Sequence, residues 1–286
     1  MNVSGTLYIV ATPIGHPDDI TRRALQVLGS VDRIAAEDTR SAARLLARHE
    51  IGTPLISCHE HNERDRVEGL LAELRAGASV ALISEAGTPS VSDPGFPLVR
   101  AAVAAGLPVV PVPGPSAALA ALSVSGLPTD AFTFVGFPPR KRAARRKSLA
   151  PLKSLPHSLI FYESPHRISD LLADLIRELG NRAAVLGREM TKPHEEFLRG
   201  RLSEIAAALG DRPRVKGECT LVVAGASADA ASEIDLRALV AEALRQPGAT
   251  VSGVAREIAQ TYGLSRKNVY AEALTCSESE ESNGKS

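Results

Sequence analysis

Three short stretches combine glycine, proline and small hydroxyl side chains in a way that suits close approach of a ligand to the backbone. They are Ala11-Thr12-Pro13-Ile14-Gly15-His16-Pro17-Asp18-Asp19, Ser84-Glu85-Ala86-Gly87-Thr88-Pro89-Ser90-Val91-Ser92-Asp93-Pro94-Gly95, and Pro111-Val112-Pro113-Gly114-Pro115-Ser116-Ala117. Glycine permits contact distance to the main chain, and proline fixes the turn around it. None of the three carries a G-x-G-x-x-G or G-x-x-x-x-G-K-[ST] pattern, which argues against an ordinary dinucleotide or nucleoside-triphosphate site. Backbone-lined loops without a phosphate cradle suit a ligand that bears an adenosine and no phosphate, such as S-adenosylmethionine. Asp93 and Ser116 also have the residue types and positions to cap the helices that follow.

Several polar groups could act beside such a ligand. Asp38, Glu85, Glu163, Lys192 and His194 are of the types that remove or hold a proton. Glu37-Asp38-Thr39-Arg40 reads equally well as a capped helix start, with acidic groups favoured by the helix dipole. Ser164-Pro165-His166-Arg167 has the same plain reading, with Ser164 as cap and Pro165 in the first turn. Cys58-His59-Glu60-His61-Asn62-Glu63 lacks a complete ligand set elsewhere, so no metal is expected. In Arg140-Lys141-Arg142-Ala143-Ala144-Arg145-Arg146-Lys147, six of eight residues are basic. Such a run fits either a solvated helix face or phosphate binding by counterion release.

The elements that must position these groups follow from the spacing of apolar residues. Short apolar runs predict strands over 6–11, 33–36, 55–57, 79–83 and 108–112, with helices over 20–28, 41–49, 64–76 and 96–105 between them. Continuous apolar strands alternating with helices imply a parallel sheet covered on both faces. Each glycine- and proline-rich stretch then leaves the carboxyl end of a strand, where ligands of such sheets gather. A second α/β unit with a mixed sheet follows, with strands over 132–137, 158–162, 183–187, 196–201 and 218–224 and helices over 116–124, 165–179 and 202–209. The expected domains are 1–115 and 116–226. Residues 226–232 read as a linker. Three helical patterns, over 236–245, 251–262 and 265–274, form a helix-turn-helix-like unit at 235–275, with Gly263 ending one helix and Ser265 capping the next. The polar residues 277–286 are expected to be disordered.

Composition bounds the rest. The chain has 286 residues, 44% hydrophobic and 23% charged, with 33 basic side chains balanced by 33 acidic ones. A net charge of zero gives no global case for nucleic-acid binding and throws the question onto local clusters. Cys58, Cys219 and Cys276 are odd in number and far apart, which excludes a disulfide framework or a paired-thiol metal site. The start lacks the basic residues and apolar length of a signal peptide, and no run is long enough to span a bilayer. The expected compartment is the cytoplasm, with no membrane partner.

Longer motifs carry a resemblance. Gly5-Thr6-Leu7-Tyr8-Ile9-Val10-Ala11-Thr12-Pro13-Ile14-Gly15, Ala36-Glu37-Asp38-Thr39-Arg40, the whole of 84–95, Phe161-Tyr162-Glu163-Ser164-Pro165-His166-Arg167, Arg188-Glu189-Met190-Thr191-Lys192-Pro193-His194-Glu195-Glu196 and Lys216-Gly217-Glu218 occur in this order. Together they resemble the tetrapyrrole methylase superfamily, and more closely its ribosomal branch, the small-subunit ribosomal RNA 2′-O-ribose methyltransferase I family. The resemblance spans about residues 5–226, and the helical tail also fits that branch.

It implies two α/β domains with a cofactor cleft between them, a homodimer, and S-adenosylmethionine as cofactor. Carried over by position, the cofactor contacts are Ile14, Ala86, Gly87, Thr88, Val91, Ser116, Ala117, Glu163 and Met190. Many relatives carry Gly-Asp-Pro where this chain has Gly87-Thr88-Pro89, so a hydroxyl and the backbone take that place here. Acceptor-side chemistry falls to Asp38, Arg40 and Glu85. RNA contacts fall to Arg140, Lys141, Arg142, Arg145, Arg146, Lys147 and Arg167. The implied reaction is 2′-O-methylation of a decoding-region cytidine in the 16S RNA of the small ribosomal subunit, with no DNA partner. Two rivals remain: a tetrapyrrole C-methyltransferase on the same fold, which needs neither the basic octet nor the helical tail, and a non-enzymatic RNA-binding assembly factor.

Overall fold

The computed structural model describes residues 5–226, 236–246, 249–262 and 265–283. The first sheet is built from β1 (Leu7–Val10), β2 (Arg33–Ala36), β3 (Leu55–Ser57), β4 (Val80–Ile83) and β5 (Val109–Val112), alternating with α1 (Arg22–Ser30), α2 (Thr39–Arg48), α3 (Glu63–Arg75) and α4 (Phe96–Ala104). All pairings are parallel and the strand order is β3-β2-β4-β1-β5. β4 is buried along its whole length because helices cover both faces. Alternate strand residues divide between two cores. Val10, Ile34, Ala81 and Ile83 pack with Ala24 and Leu28 of α1 and Leu46 of α2. Leu7, Ala35, Val80 and Leu82 pack with Leu70 and Leu74 of α3 and Leu98 of α4.

The second lobe comprises α5 (Ala117–Ser123), β6 (Phe132–Gly136), α6 (Arg142–Leu149), β7 (Ser158–Glu163), α7 (Ile168–Leu179), β8 (Ala183–Arg188), β9 (Glu196–Arg201), α8 (Leu202–Gly210) and β10 (Cys219–Val223). Its sheet has the order β6-β7-β10-β8-β9, parallel between β6 and β7 and antiparallel elsewhere. That is the mixed sheet expected from the sequence. The chain passes from the first sheet, whose last strand ends at Val112, to the second, whose first strand begins at Phe132, by way of α5. Both lobes nevertheless belong to one compact unit. One apolar cluster joins them: Ile14 from the loop after β1, Ala118, Ala121 and Leu122 of α5, and Ile160, Met190 and Val222 of the second lobe.

The remaining described residues form a separate compact unit of α9 (Leu236–Leu244), α10 (Val251–Tyr262) and α11 (Arg266–Asn283). Val240, Val254, Ile258, Val269 and Ala273 make its core. Thr250 caps α10, its hydroxyl accepting from Gly253 N at 3.1 Å. Gly263 and most of the expected linker at 226–232 lie outside the described residues. The last helix continues to Asn283, so residues 277–283 are helical where composition predicted disorder. Once the preceding turns are packed, each added helical residue brings a hydrogen bond without a new nucleation cost. Among the described residues, no helix is long and apolar enough to cross a membrane.

Candidate functional site

The strand order β4-β1-β5 sets the three glycine- and proline-rich loops side by side at one edge of the sheet. The first two are stitched by a two-residue antiparallel bridge, Thr12 N to Gly87 O at 2.8 Å and Gly87 N to Thr12 O at 3.0 Å. The Thr88 hydroxyl donates to Pro115 O at 3.2 Å and ties the second loop to the third. Gly87 adopts a φ of 81°, a left-handed conformation that favours glycine. Across the cleft, His16 N donates to the Thr191 hydroxyl at 2.9 Å. Gly15 makes this approach possible, since a Cβ there would lie 2.8 Å from Met190 O. Met190 itself sits between Glu189 and Thr191, both held at positive φ. Such strain persists only where the surroundings fix it, here on both sides of a side chain that faces the cleft.

Between the lobes lies a cavity of about 350 Å³. All nine positions expected to contact a cofactor line it: Ile14, Ala86, Gly87, Thr88, Val91, Ser116, Ala117, Glu163 and Met190. Glu163 closes β7 and is buried, with Oε1 accepting from Ser164 N at 2.8 Å. Its Oε2 lies 3.0 Å from Arg167 Nη2, out of hydrogen-bond geometry, and has no hydrogen-bond partner. A second cleft of about 400 Å³ shares Ile14, Glu85, Ala86 and Glu218 with the first and is flanked by Arg44, Arg48 and Lys192.

The carboxylates sort differently from the expectation. Asp38 is the N-cap of α2, its Oδ1 accepting from Arg40 N at 2.8 Å and Ser41 N at 3.4 Å. These amide bonds hold its carboxyl below the usual range. The Arg40 side chain is 90% exposed and reaches only back to Asp38, so neither residue lines the main cavity. Glu85 does line it, together with Glu37, whose Oε2 accepts from Glu85 N at 3.1 Å.

The sequence reading missed Asp93, which also lines the cavity. It does not cap α4, whose N-cap is Gly95 at a φ of 118°. Burial pushes its carboxyl up to about 6, with Glu37 and Glu85 adding to the rise and a hydrogen bond from Ser84 opposing it. Tyr162 is a second omission. Its hydroxyl accepts from Ala118 N at 3.0 Å, taking the amide that Ser116, at the N-cap of α5, leaves uncapped. Burial pushes that phenol upward too. Asp93 was visible inside a quoted motif, but its local pattern, Asp-Pro before an apolar run, gave the helix-cap reading. Ser164 likewise is not a cap: residues 164–167 form a turn, and α7 begins at Ile168 after Arg167.

The basic octet divides into two faces. Arg142, Arg145 and Arg146 lie on one side of α6 and meet Asp174 and Glu178, one turn apart on α7. Arg145 Nε donates to Asp174 Oδ2 at 2.8 Å with both side chains buried, Arg142 reaches Asp174 at 3.2 Å, and Arg146 reaches Glu178. Arg145 and Arg146, expected to contact RNA, are thus occupied by an internal ion-pair network, Arg145 buried and Arg146 half-buried. Arg167 is also engaged, donating to Pro138 O at 2.7 Å and facing Glu163. Arg140, Lys141 and Lys147 are exposed, and Arg142 remains 68% exposed. In the 58–63 segment Cys58 is buried and its thiol pushed up to about 11 by burial. Asn62 Oδ1 accepts from His59 N. Among the described residues, no group of three His, Cys, Asp or Glu could hold a metal ion.

Residues 6–206 match the model of the tetrapyrrole (corrin/porphyrin) methylases, and the chain belongs to that family. It is 49% identical over 276 residues to the ribosomal RNA small subunit methyltransferase I of Micromonospora olivasterospora, covering 96% of this chain and 88% of that protein. It is 45% identical over 275 residues to the protein of the same name from Escherichia coli O157:H7, covering 96% of each. Its place within the family is thus the ribosomal RNA small subunit methyltransferase I branch. Among solved structures, uroporphyrin-III C-methyl transferase from Thermus thermophilus complexed with S-adenyl homocysteine shares the fold. It has a TM-score of 0.53 and 22% identity, over 76% of this chain and 97% of that one.

Removing the carboxylate between α6 and α7 strands a buried guanidinium. Asp174→Ala is expected to cost about 3–5 kcal/mol, read as a fall in the urea midpoint. The exposed pair Arg140→Ala with Lys141→Ala is expected to change stability by no more than about 0.5 kcal/mol per site. Equal effects in the two variants would contradict the division of the octet.

Proposed function

We propose that the protein is an S-adenosylmethionine-dependent methyltransferase of small-subunit ribosomal RNA, and that it methylates the ribose 2′-hydroxyl of a decoding-region cytidine in the 16S RNA. The observation that carries the cofactor half is the convergence of nine separately placed residues on one cavity. The names of its relatives support the RNA half.

The residues present fit such a cofactor. Gly87 is buried, yet a Cβ there would meet no other protein atom closer than 3.6 Å, so the space beside it belongs to the cavity. Buried Glu163 borders the cavity with its Oε2 charge-paired to Arg167 at 3.0 Å, a fixed carboxylate in the wall. Ile14, Val91 and Met190 supply apolar contact, while Ala86, Thr88, Ser116 and Ala117 border the ligand from the second and third loops. When bound, the cofactor supplies a methyl group already activated on a sulfonium. The protein must align the acceptor and take its proton.

Asp93 is the group best suited to take that proton. Its carboxyl, raised to about 6, is ionised at neutral pH yet more basic than a solvated carboxylate. Glu85 borders both cavities and positions the acceptor between them. The ribose enters by the second cleft, where Arg44, Arg48 and Lys192 offer positive charge to the backbone. Arg140, Lys141, Arg142 and Lys147 extend that charge along the second lobe. The exposed Phe96 and Val103 of α4 support pairing into a homodimer.

Four measurements bear on this reading. Gly87→Val is expected to weaken S-adenosylhomocysteine binding at least about tenfold, or about 1.4 kcal/mol, while thermal unfolding stays cooperative. Unchanged affinity would take the loop out of the site. For the wild type, kcat/KM is expected to fall as pH drops below about 6, because protonated Asp93 cannot accept a proton, and to level off above it. Asp93→Asn is expected to lower kcat by roughly 10²–10⁴-fold with cofactor affinity retained; full activity in that variant would remove Asp93 from the chemistry. Methyl transfer from labelled cofactor to small subunits lacking the modification, followed by nucleoside analysis, is expected to yield 2′-O-methylcytidine. A base-methylated nucleoside would exclude the ribose acceptor, and cofactor binding without transfer would exclude the RNA substrate.

A further inference from the structure

We propose that a basic notch on the second lobe, formed where β8 ends and the loop before β10 begins, binds a backbone phosphate of the RNA flanking the nucleotide that is methylated. The proposal rests on the reading of the protein as an RNA methyltransferase and adds a contact site to it.

The notch encloses about 370 Å³ and is lined by Arg188, Glu189, His194, Arg212, Arg214 and Lys216. Two of its guanidiniums are fixed in place. Glu196 accepts from Arg188 Nε at 2.9 Å and from Arg212 Nη1 and Nη2 at 2.8 and 2.7 Å, and Arg188 Nη1 also donates to Lys216 O at 2.9 Å. The two arginines hold the Glu196 carboxyl down at about 2, so it stays ionised and keeps both forks oriented at any working pH. One carboxylate shared by two guanidiniums leaves an excess positive charge on a rigid frame. Arg214 and Lys216 add two exposed cations that form no ion pair among the described residues. The single lining carboxylate, Glu189, is already taken by Lys192 Nζ and Glu218 N, each at 3.0 Å.

Arg212 is spent within the protein, its Nε donating to Ala208 O at 3.2 Å and both Nη atoms to Glu196, so the cations left to meet a phosphate are Arg214 and Lys216, standing beside a fixed positive frame. Placement decides the ligand. Arg188 pairs with Cys219 in the β8–β10 ladder, Glu189 precedes Met190, and Lys216 lies two residues before Glu218. Cys219, Met190 and Glu218 all line the main cavity, and Glu218 lines the second cleft too, so the notch is built from residues that adjoin both cavities in the chain or the ladder. A ribose in an RNA chain has a phosphate on either side. An acidic protein segment would carry no such reason to be found there.

The test uses the full chain with Arg214→Ala and Lys216→Ala combined, and as a control Arg22→Ala with Arg23→Ala, an equal charge loss on the exposed face of α1. Binding to naked small-subunit RNA is followed across salt concentration, alongside S-adenosylhomocysteine binding and steady-state methylation. The notch variant is expected to bind RNA about tenfold more weakly at low salt, with the slope of log K against log salt reduced by about 0.7–0.9 for the lost phosphate. KM for RNA should rise with kcat nearly unchanged, and cofactor affinity should stay at the wild-type value. Wild-type affinity and slope in the notch variant, or an equal loss in the control, would overturn the proposal. A loss seen with assembled subunits but absent with the naked RNA would assign the notch to a ribosomal protein and overturn it as well. A wild-type protein that binds cofactor but neither binds nor methylates RNA would defeat the functional reading, and the notch with it. Methylation by the wild type with an unaltered slope in the variant would defeat the notch alone.

Discussion

A parallel strand covered by helices on both faces can meet a ligand only at its ends, and that constraint shapes this protein. Every backbone group along β4 and β1 lies between two ladders, while β5 stands at the sheet edge and is paired on one side. Only where the chain leaves the strands are amides and carbonyls free to face something else. The order β4-β1-β5 makes three such exits neighbours, although they lie far apart in sequence. The Thr12–Gly87 bridge extends the hydrogen bonding past the sheet edge and gives two of these loops a shared frame. A cavity wall made mostly of main chain is the outcome, and it explains why small residues and proline dominate there.

The opposite wall needs a different solution, because the second sheet presents side chains to the cleft. Glu163 and Tyr162 at the end of β7, Met190 after β8 and Cys219 on β10 stand on rigid strands or on backbone held in left-handed conformations. Gly15 and the His16–Thr191 hydrogen bond then set the separation of the two walls. The apolar cluster around Ile14, Ala121 and Met190 fixes it from below. The lobes are in this sense one body, and the cleft width belongs to the folded core as much as to the loops.

How much of this could be read in advance follows from the range of the interactions. The strands and the three loops were legible because apolar runs and Gly/Pro clusters are local signals, and the resemblance named nine of the residues that line the cavity. What failed depended on partners distant in sequence. Arg145 read as a solvated cation because nothing near it reveals Asp174, 29 residues later. Asp38 offered two readings of comparable weight, and α2 realised the capping one. Asp93 was legible as a turn residue but not as a group with a raised proton affinity, since that comes from burial against Glu37 and Glu85, brought together by the order of β2 and β4. The notch residues were invisible for the same reason: Glu196 unites Arg188 and Arg212 only after β8 and β9 have paired.

Cys219 has a consequence for the protein's own integrity. A sulfonium methyl donor is an electrophile, and a thiolate is a far better nucleophile than a hydroxyl. A cysteine in the wall of such a cavity invites alkylation of the enzyme instead of its substrate. Burial pushes this thiol up to about 12, against the opposing charge of Arg188 and with Glu163, Glu189 and Glu218 adding to the rise. Burial thus keeps the sulfur inert, and lets a reactive cofactor sit against a protein wall without consuming it.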